Sequence, residues 1–335
     1  MLVTCAGILV VDIVAADLPR ISDPGELTFA PKGIDMYVGG HSANVSINLR
    51  KIGLREGEVS SVGAIGEDMF GDFVESTLRK HGVVTHLRRV PEIGTSKDLI
   101  LIVRGEDHRY HVDLGANLDF DPDNVGQVLL AERPSVVYIG GAGMLGKFDE
   151  RLADILQTSR AQNCLNFVDP VVPHSGNWDS LIRACKWMDI FHCNNVEASS
   201  MTGHEDPRKA AEALIRHGIG LVIVSMGERG LIAKSKVFTL QMPALKVPIV
   251  DPSGAGDAFC SGAIHGVVKR TRCAPGEMGD LSSEVLRDVL LEGAAVGAAC
   301  VTAVGTTTGV SREIVDRLLK EQGSQILEST TVIEQ

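Results

Sequence analysis

The sequence predicts a doubly wound α/β fold, a mostly parallel sheet with helices on both faces. Three observations lead there. From Ser135 to Ser225 short apolar runs (135–140, 164–169, 188–192 and 220–225) alternate with stretches of helical period (near 147–161, 178–186 and 207–216). The apolar runs are close to continuous, as strands covered on both faces are. The 335 residues, 44% hydrophobic and 22% charged, show no linker or internal repeat, so 1–335 is expected to form a single domain.

The elements follow in order. Leu2–Val11 is one apolar run and predicts a buried first strand. It lacks the basic start of a signal peptide and runs straight into Asp12. Leu18–Tyr37 carries three prolines and predicts short extended pieces. Gly39-Gly40-His41-Ser42-Ala43-Asn44 opens a helix whose apolar face is Val45, Ile47, Leu49 and Ile52, ended by Gly53. A strand at Val59–Ile65 and a helix at Met69–Lys80 follow. Asp98–Val103 and Tyr110–Leu114 predict a hairpin around Gly105-Glu106-Asp107. Strands drawn from about 14–38 and 96–114 are expected to form a small sheet outside the main layer. Leu281–Ala303 predicts a buried small-residue helix, and the polar tail beyond Gly323 is expected to fray.

Composition narrows the function. A net charge of −11 without basic clusters argues against nucleic acid as a partner. No apolar run approaches the roughly 20 residues that span a bilayer, so no membrane partner is expected. Seven cysteines, an odd number with no C-x-x-C pair, predict reduced thiols in a cytoplasmic protein.

Two loops compete for a phosphate. In the first, Ser253-Gly254-Ala255-Gly256 precedes Asp257 and a helical run through Ala258, Phe259, Ala263, Ile264 and Val267. Small residues at a helix start turn backbone N–H groups toward one point, an anion cradle. A carboxylate inside such a cradle repels the anion and costs affinity unless chemistry needs it. The need is a general base that takes a proton from a hydroxyl attacking the bound phosphate. The competing reading is an ordinary helix start with Asp257 facing the dipole. The second loop, Gly141 to Gly146, is formally G-x-G-x-x-G after a strand, with Asp169 about 20 residues on where a ribose would want an acid. It supports an NAD-dependent oxidoreductase. It lies in mid-chain, however, leaves 254–257 unexplained, and is equally a plain strand-to-helix turn. Read as a P-loop it fails, because Phe148 stands where a Mg²⁺-binding hydroxyl belongs.

Four strings occur in one order: Gly39 to Asn44, Asn194-Asn195-Val196-Glu197, Ser225 to Gly230, and Asp251 to Asp257. Over about residues 1–320 this resembles the ribokinase family of carbohydrate and nucleoside kinases, also called the PfkB family. The resemblance implies a ribokinase-like fold with a small β-sheet lid that often pairs between subunits, hence a homodimer. It implies Asp257 as catalytic base and Gly254, Ala255 and Gly256 as anion hole. Asp12, Gly39, Gly40 and Asn44 match acceptor-binding positions. Asn194, Ser225, Gly227 and Gly230 match the nucleotide site, with Ser225 where threonine is usual. Glu197 matches a ligand that holds Mg²⁺ through water, against the competing reading of a helix cap at Asn194 and a surface acid. Asp251, with Ser253, Cys300, Ala303 and Gly305, aligns with a monovalent-cation site, which brings K⁺ into consideration. His41 replaces a lysine or small residue and is expected to face solvent.

The sequence therefore predicts an ATP- and Mg²⁺-dependent kinase that phosphorylates a hydroxyl of a small sugar. A nucleoside kinase of the same family, the oxidoreductase using 141–146, and a non-catalytic sugar-binding regulator stand as alternatives. With nine Phe and three Tyr and no aromatic cluster, composition tilts from nucleoside toward sugar.

Overall fold

The computed structural model describes residues 2–106, 108–173 and 175–334. Asp107, in the expected hairpin turn, lies outside them. The chain begins with β1 (Val3–Gly7), β2 (Val10–Leu18) and β3 (Ile34–Gly39). The expected single first strand is thus two, and a glycine stands at the end of the first. Gly7 has φ 144°, and a Cβ there would lie 2.0 Å from the Gly140 carbonyl oxygen. Three residues later, at Val10, the chain enters another sheet. The run is apolar throughout because both strands are buried, so hydropathy carried no sign of the crossing.

Next come α1 (His41–Lys51), β4 (Val59–Gly66), α2 (Met69–Lys80), β5 (Val84–Val90), β6 (Lys97–Val103) and β7 (Arg109–Asp113). Asp68 caps α2 by accepting the Gly71 amide. The alternating portion supplies α3 (Pro122–Glu132), β8 (Val136–Ala142), α4 (Lys147–Glu150), α5 (Leu152–Ala161), β9 (Leu165–Pro170), α6 (Asp179–Ala184), β10 (Ile190–Asn194), α7 (Asn195–Thr202), α8 (Pro207–Arg216) and β11 (Leu221–Ser225). Then follow β12 (Leu231–Lys234), β13 (Phe238–Met242), α9 (Ala255–Arg270), α10 (Ser283–Cys300), α11 (Arg312–Ser329) and β14 (Thr331–Glu334).

Ten of the described strands form one sheet in the order β14-β13-β12-β11-β10-β9-β8-β1-β4-β5. From β11 to β5 neighbours run parallel, and β12, β13 and β14 add an antiparallel edge. Strand order reverses between β1 and β8, the switch point at which open α/β sheets leave a crevice at their carboxyl ends. Alternate side chains of each strand serve opposite faces. Tyr138 and Phe167 pack with residues of α1, α9 and α10, whereas Ile139 and Val168 pack with residues of α3, α5 and α8.

The second sheet has the order β3-β2-β6-β7 and covers the mouth of that crevice with Leu9, Val11 and Val38 packed on Ala43 and Ile47 of α1. The tail differs from expectation. Gly323 is buried inside α11, Ile326 is 7% exposed, and β14 pairs with β13 while Val332 packs on the core. Its polar residues are one face of an amphipathic helix, which a composition count does not distinguish from disorder.

Candidate active site

The carboxyl ends of β1, β8, β9 and β10 and the amino ends of α1 and α9 converge on one buried cluster. Asp257, 8% exposed, stands in the first turn of α9. Its Oδ2 accepts from Asn44 Nδ2 at 2.8 Å, and Tyr138 Oη lies 3.4 Å from Oδ1. Asn44 is itself oriented, because Thr306 Oγ1 donates to its Oδ1 at 2.7 Å. Gly254 caps α9 with φ 75°, and a Cβ there would come within 2.7 Å of Thr306 Cβ. The amides of Gly256 and Asp257 fall in the first helical turn, where a helix has no carbonyl to offer them. Burial pushes the Asp257 carboxyl up, His41 pulls it down, and the Asp169 carboxylate adds to the rise.

The facing wall comes from the small sheet. Asp12 is 5% exposed, and a Cβ at Gly39 would lie 2.1 Å from its Oδ2. Glycine at 39 is what leaves this carboxyl room. Gly40 has φ 85°, a conformation that favours glycine, and brings α1 against the Ile8 carbonyl. Burial, then Asp98, Asp257 and Asp251, raise the Asp12 pKa to about 8. Asp251, 3% exposed, accepts the Ser253 and Gly305 amides at 2.9 and 3.0 Å. The Cys300 thiol points at the Thr306 and Ser253 carbonyls, at 3.1 and 3.5 Å.

On the other side of Asp257 a chain of side chains crosses four strands, β8 to β11. Tyr138 Oη donates to Asp169 Oδ2 at 3.0 Å. His192 Nδ1 lies 3.0 Å from Asp169 Oδ1, and its Nε2 lies 3.2 Å from Ser225 Oγ. Burial disfavours charge on both partners, yet their mutual attraction wins, holding Asp169 low and His192 high. Motif reasoning found Ser225 but not His192 or Tyr138, single residues on ordinary strands.

Asn194 and Glu197 form a capping box on α7. Asn194 Oδ1 accepts the Val196 and Glu197 amides, and Glu197 Oε2 accepts the Asn194 amide at 2.8 Å. Both side chains thus serve the helix start, and each keeps a further polar atom. Burial and then Asp169 raise the Glu197 carboxyl. His41 departs from expectation. It is half-buried, its Nδ1 is enclosed, and it lies with Asp169 and Asp257 in a group whose ligand atoms are all within 4.8 Å of one another. Gly140 and Gly141 make this possible, since a Cβ at Gly140 would lie 2.4 Å from His41 Cβ and one at Gly141 3.2 Å from its Nδ1.

A cleft of about 690 Å³ adjoins the cluster, lined by Ser225, Gly227, Gly230, Leu245, Phe259 and Val301 among others, with Ala255 and Gly256 in its wall. Gly230 has φ 87°, and a Cβ would meet the Met242 carbonyl at 2.0 Å. The cleft is mostly apolar and opens onto the α9 amides, a shape suited to a planar base with phosphates attached. The rival loop at 141–146 has its amides engaged. Its Gly143 and Leu145 amides already bind the Asp149 carboxylate at 2.9 and 2.8 Å, and Asp169 is spent on Tyr138 and His192. A dinucleotide there would have to displace an internal anion.

Comparison with known proteins gives the same direction. The family model described as pfkB family carbohydrate kinase matches residues 2–313. An ATP-dependent 6-phosphofructokinase of Thermoanaerobacterium thermosaccharolyticum is 26% identical over 70% of this chain and 73% of its own. An adenosine kinase of Saccharomyces cerevisiae is 27% identical over 70% of this chain and 72% of its own. Among solved structures, a fructokinase with bound ATP from Xylella fastidiosa superposes with a TM-score of 0.80 at 20% identity, covering 96% of this chain and 98% of that one. A ribokinase II of E. coli in complex with ATP and Mg²⁺ gives 0.77 at 20% identity over 95% and 99%.

Proposed function

This chain belongs to the pfkB family of carbohydrate kinases, and on that premise we propose that it moves the γ-phosphoryl group of ATP onto a hydroxyl of a small sugar. It is a phosphotransferase; the acceptor and the residue roles are the proposal. The single observation that carries them is the carboxyl of Asp257, buried in the first turn of α9, bonded to Asn44 and set between the acidic acceptor side and the nucleotide-sized cleft.

In this reading Asp257 takes the proton of the acceptor hydroxyl as its oxygen bonds to the γ-phosphorus and the bond to the β-phosphate oxygen breaks. The 254–256 backbone at the head of α9 meets the charge on the transferring group, normally the larger contribution. Asn44, held by Thr306, keeps Asp257 aimed, and Asp12, Gly39 and Gly40 seat the acceptor. Ser225, Gly227, Gly230 and Asn194 face the nucleotide. The Asp169 carboxylate raises both Glu197 and Asp257, an oxygen-rich setting that suits a hard divalent ion. Glu197 would hold Mg²⁺ through water, and the ion when bound neutralises the phosphates. Asp251, with the neighbouring carbonyls, would hold K⁺.

Residues 1–335 act as one unit in this reading, with the small sheet as lid. Its exposed apolar side chains Ile34, Met36, Leu99 and Val112 support a lid-to-lid homodimer. Seven free cysteines support a reducing, cytoplasmic setting. Among the described residues no helix is long and apolar enough to cross a membrane.

The test is ADP release from Mg-ATP across ribose, fructose, inositols, adenosine and cytidine. At least one acceptor is expected to support release that chelation abolishes. Tight NADH binding with no release on any acceptor would overturn the proposal.

A further inference from the structure

Asp12 of β2 and Asp98 of β6 are register partners on adjacent parallel strands. Such partners share a face and stand about 4.7–4.9 Å apart along the backbone. The Asp12 carboxyl is buried, and after burial itself the charges that bear on it are those of Asp98, Asp257 and Asp251. Asp98 Oδ1 is buried without a hydrogen-bond partner. Buried polar groups left unpaired cost stability, and one aimed into a ligand crevice is satisfied by the ligand.

Resting on the kinase reading of this cleft, we infer that Asp98 joins Asp12 in a carboxyl pair that binds adjacent hydroxyls of an uncharged polyol, and that acceptors already carrying a phosphate or carboxylate are refused. Two neighbouring carboxyls do not both ionise readily, so the pair offers acceptor oxygens together with a shared proton. Vicinal hydroxyls, each both donor and acceptor, match that set without adding charge. An anionic acceptor would confront Asp12, Asp98, Asp251 and Asp257 together. Four cations on and beside the small sheet are already paired with acids. Lys97 pairs with Asp113 at 3.1 Å, Arg104 with Asp17 at 2.8 Å, Arg20 with Glu26, and Arg109 with Glu106. His108 stands 3.6 Å from Asp251. Asp98 is the discriminating residue, since it sets a second carboxyl beside Asp12 at the acceptor end.

The experiment sets uncharged acceptors against charged ones, fructose against fructose 6-phosphate and an inositol against gluconate. Direct binding by calorimetry and ADP release are read on the full chain. The uncharged member of each pair is expected to lead by at least ~100-fold. Asp98→Ala is expected to raise the acceptor KM roughly ten- to hundredfold, the loss of a hydrogen bond to a charged group, while kcat and ADP affinity stay near wild type. Asp98→Asn, which keeps the volume and part of the bonding, is expected to recover part of that loss. Fructose 6-phosphate bound and phosphorylated best, or an unchanged KM in Asp98→Ala, overturns the inference and leaves the kinase reading standing. An uncharged polyol that binds through Asp98 but releases no ADP supports the pair and defeats the kinase reading.

Discussion

Asp257 sits in a conflict that its kinetics should report. Burial and Asp169 favour its protonated form, while His41, Asn44 and His192 favour the charged one, and the balance lies above the ordinary aspartate range. A general base works only when deprotonated. The acid limb of kcat/KM is therefore expected at higher pH than a free aspartate would place it, with activity lost as pH falls through the raised pKa. Asp257→Asn is expected to bind ADP as wild type does, to lose ~10²–10⁴-fold in kcat, and to lose that limb. Unchanged turnover would remove Asp257 from the mechanism. Which residues were legible follows from how they are encoded. Gly254 to Asp257 and Gly39 to Asn44 could be read because a tight turn into a helix forces several small residues together. Tyr138, His192, Asp98 and Thr306 are lone side chains whose meaning arises only when strands far apart in sequence end at one crevice.

Helices α9 and α10 hold the head of α9 in place through backbone proximity. A Cβ at Gly262 would meet the Glu292 carbonyl at 2.6 Å and Gly293 Cα at 2.8 Å. Backbone yields less than a side chain does, so Gly262→Val is expected to lower stability by ~1–3 kcal/mol, read as a lower urea midpoint. Because the same helix carries Asp257, kcat should fall as well. A midpoint equal to wild type would mean that the two helices separate without strain. Elements with a clear period and flanking punctuation, such as Met69–Lys80, were legible to the residue. The crossing between β1 and β2 was not, since both strands are buried and the run stays apolar. The α11–β14 tail was missed because its apolar residues are sparse, and only the packing partner gives them their role.

At the scale of the whole molecule, the large sheet is guarded differently at its two ends. β5 carries Arg88 and Arg89, charges that discourage a further strand, whereas β13 is covered by β14. Deleting residues 330–335 uncovers β13, a strand with buried Phe238, Leu240 and Met242 on one face. That deletion is expected to lower Tm by a few degrees and to raise light scattering on storage at a concentration where the full chain stays clear. A truncated chain that scatters no more than the full one would show the β13 edge to be harmless.

The passage from one sheet to the other runs through Leu9, whose amide and carbonyl are both clasped by the Asn117 side chain, at 3.1 and 2.9 Å. That clasp fixes the root of the outer arm. In the proposed lid a swing of the outer strands would turn close to it, so displacement would grow with distance along the arm. Asp12, three residues out, would keep its station, while β7 at the far rim would travel furthest. Capture and release of a small molecule could then be worked by the rim, with that carboxyl kept in alignment beside the crevice.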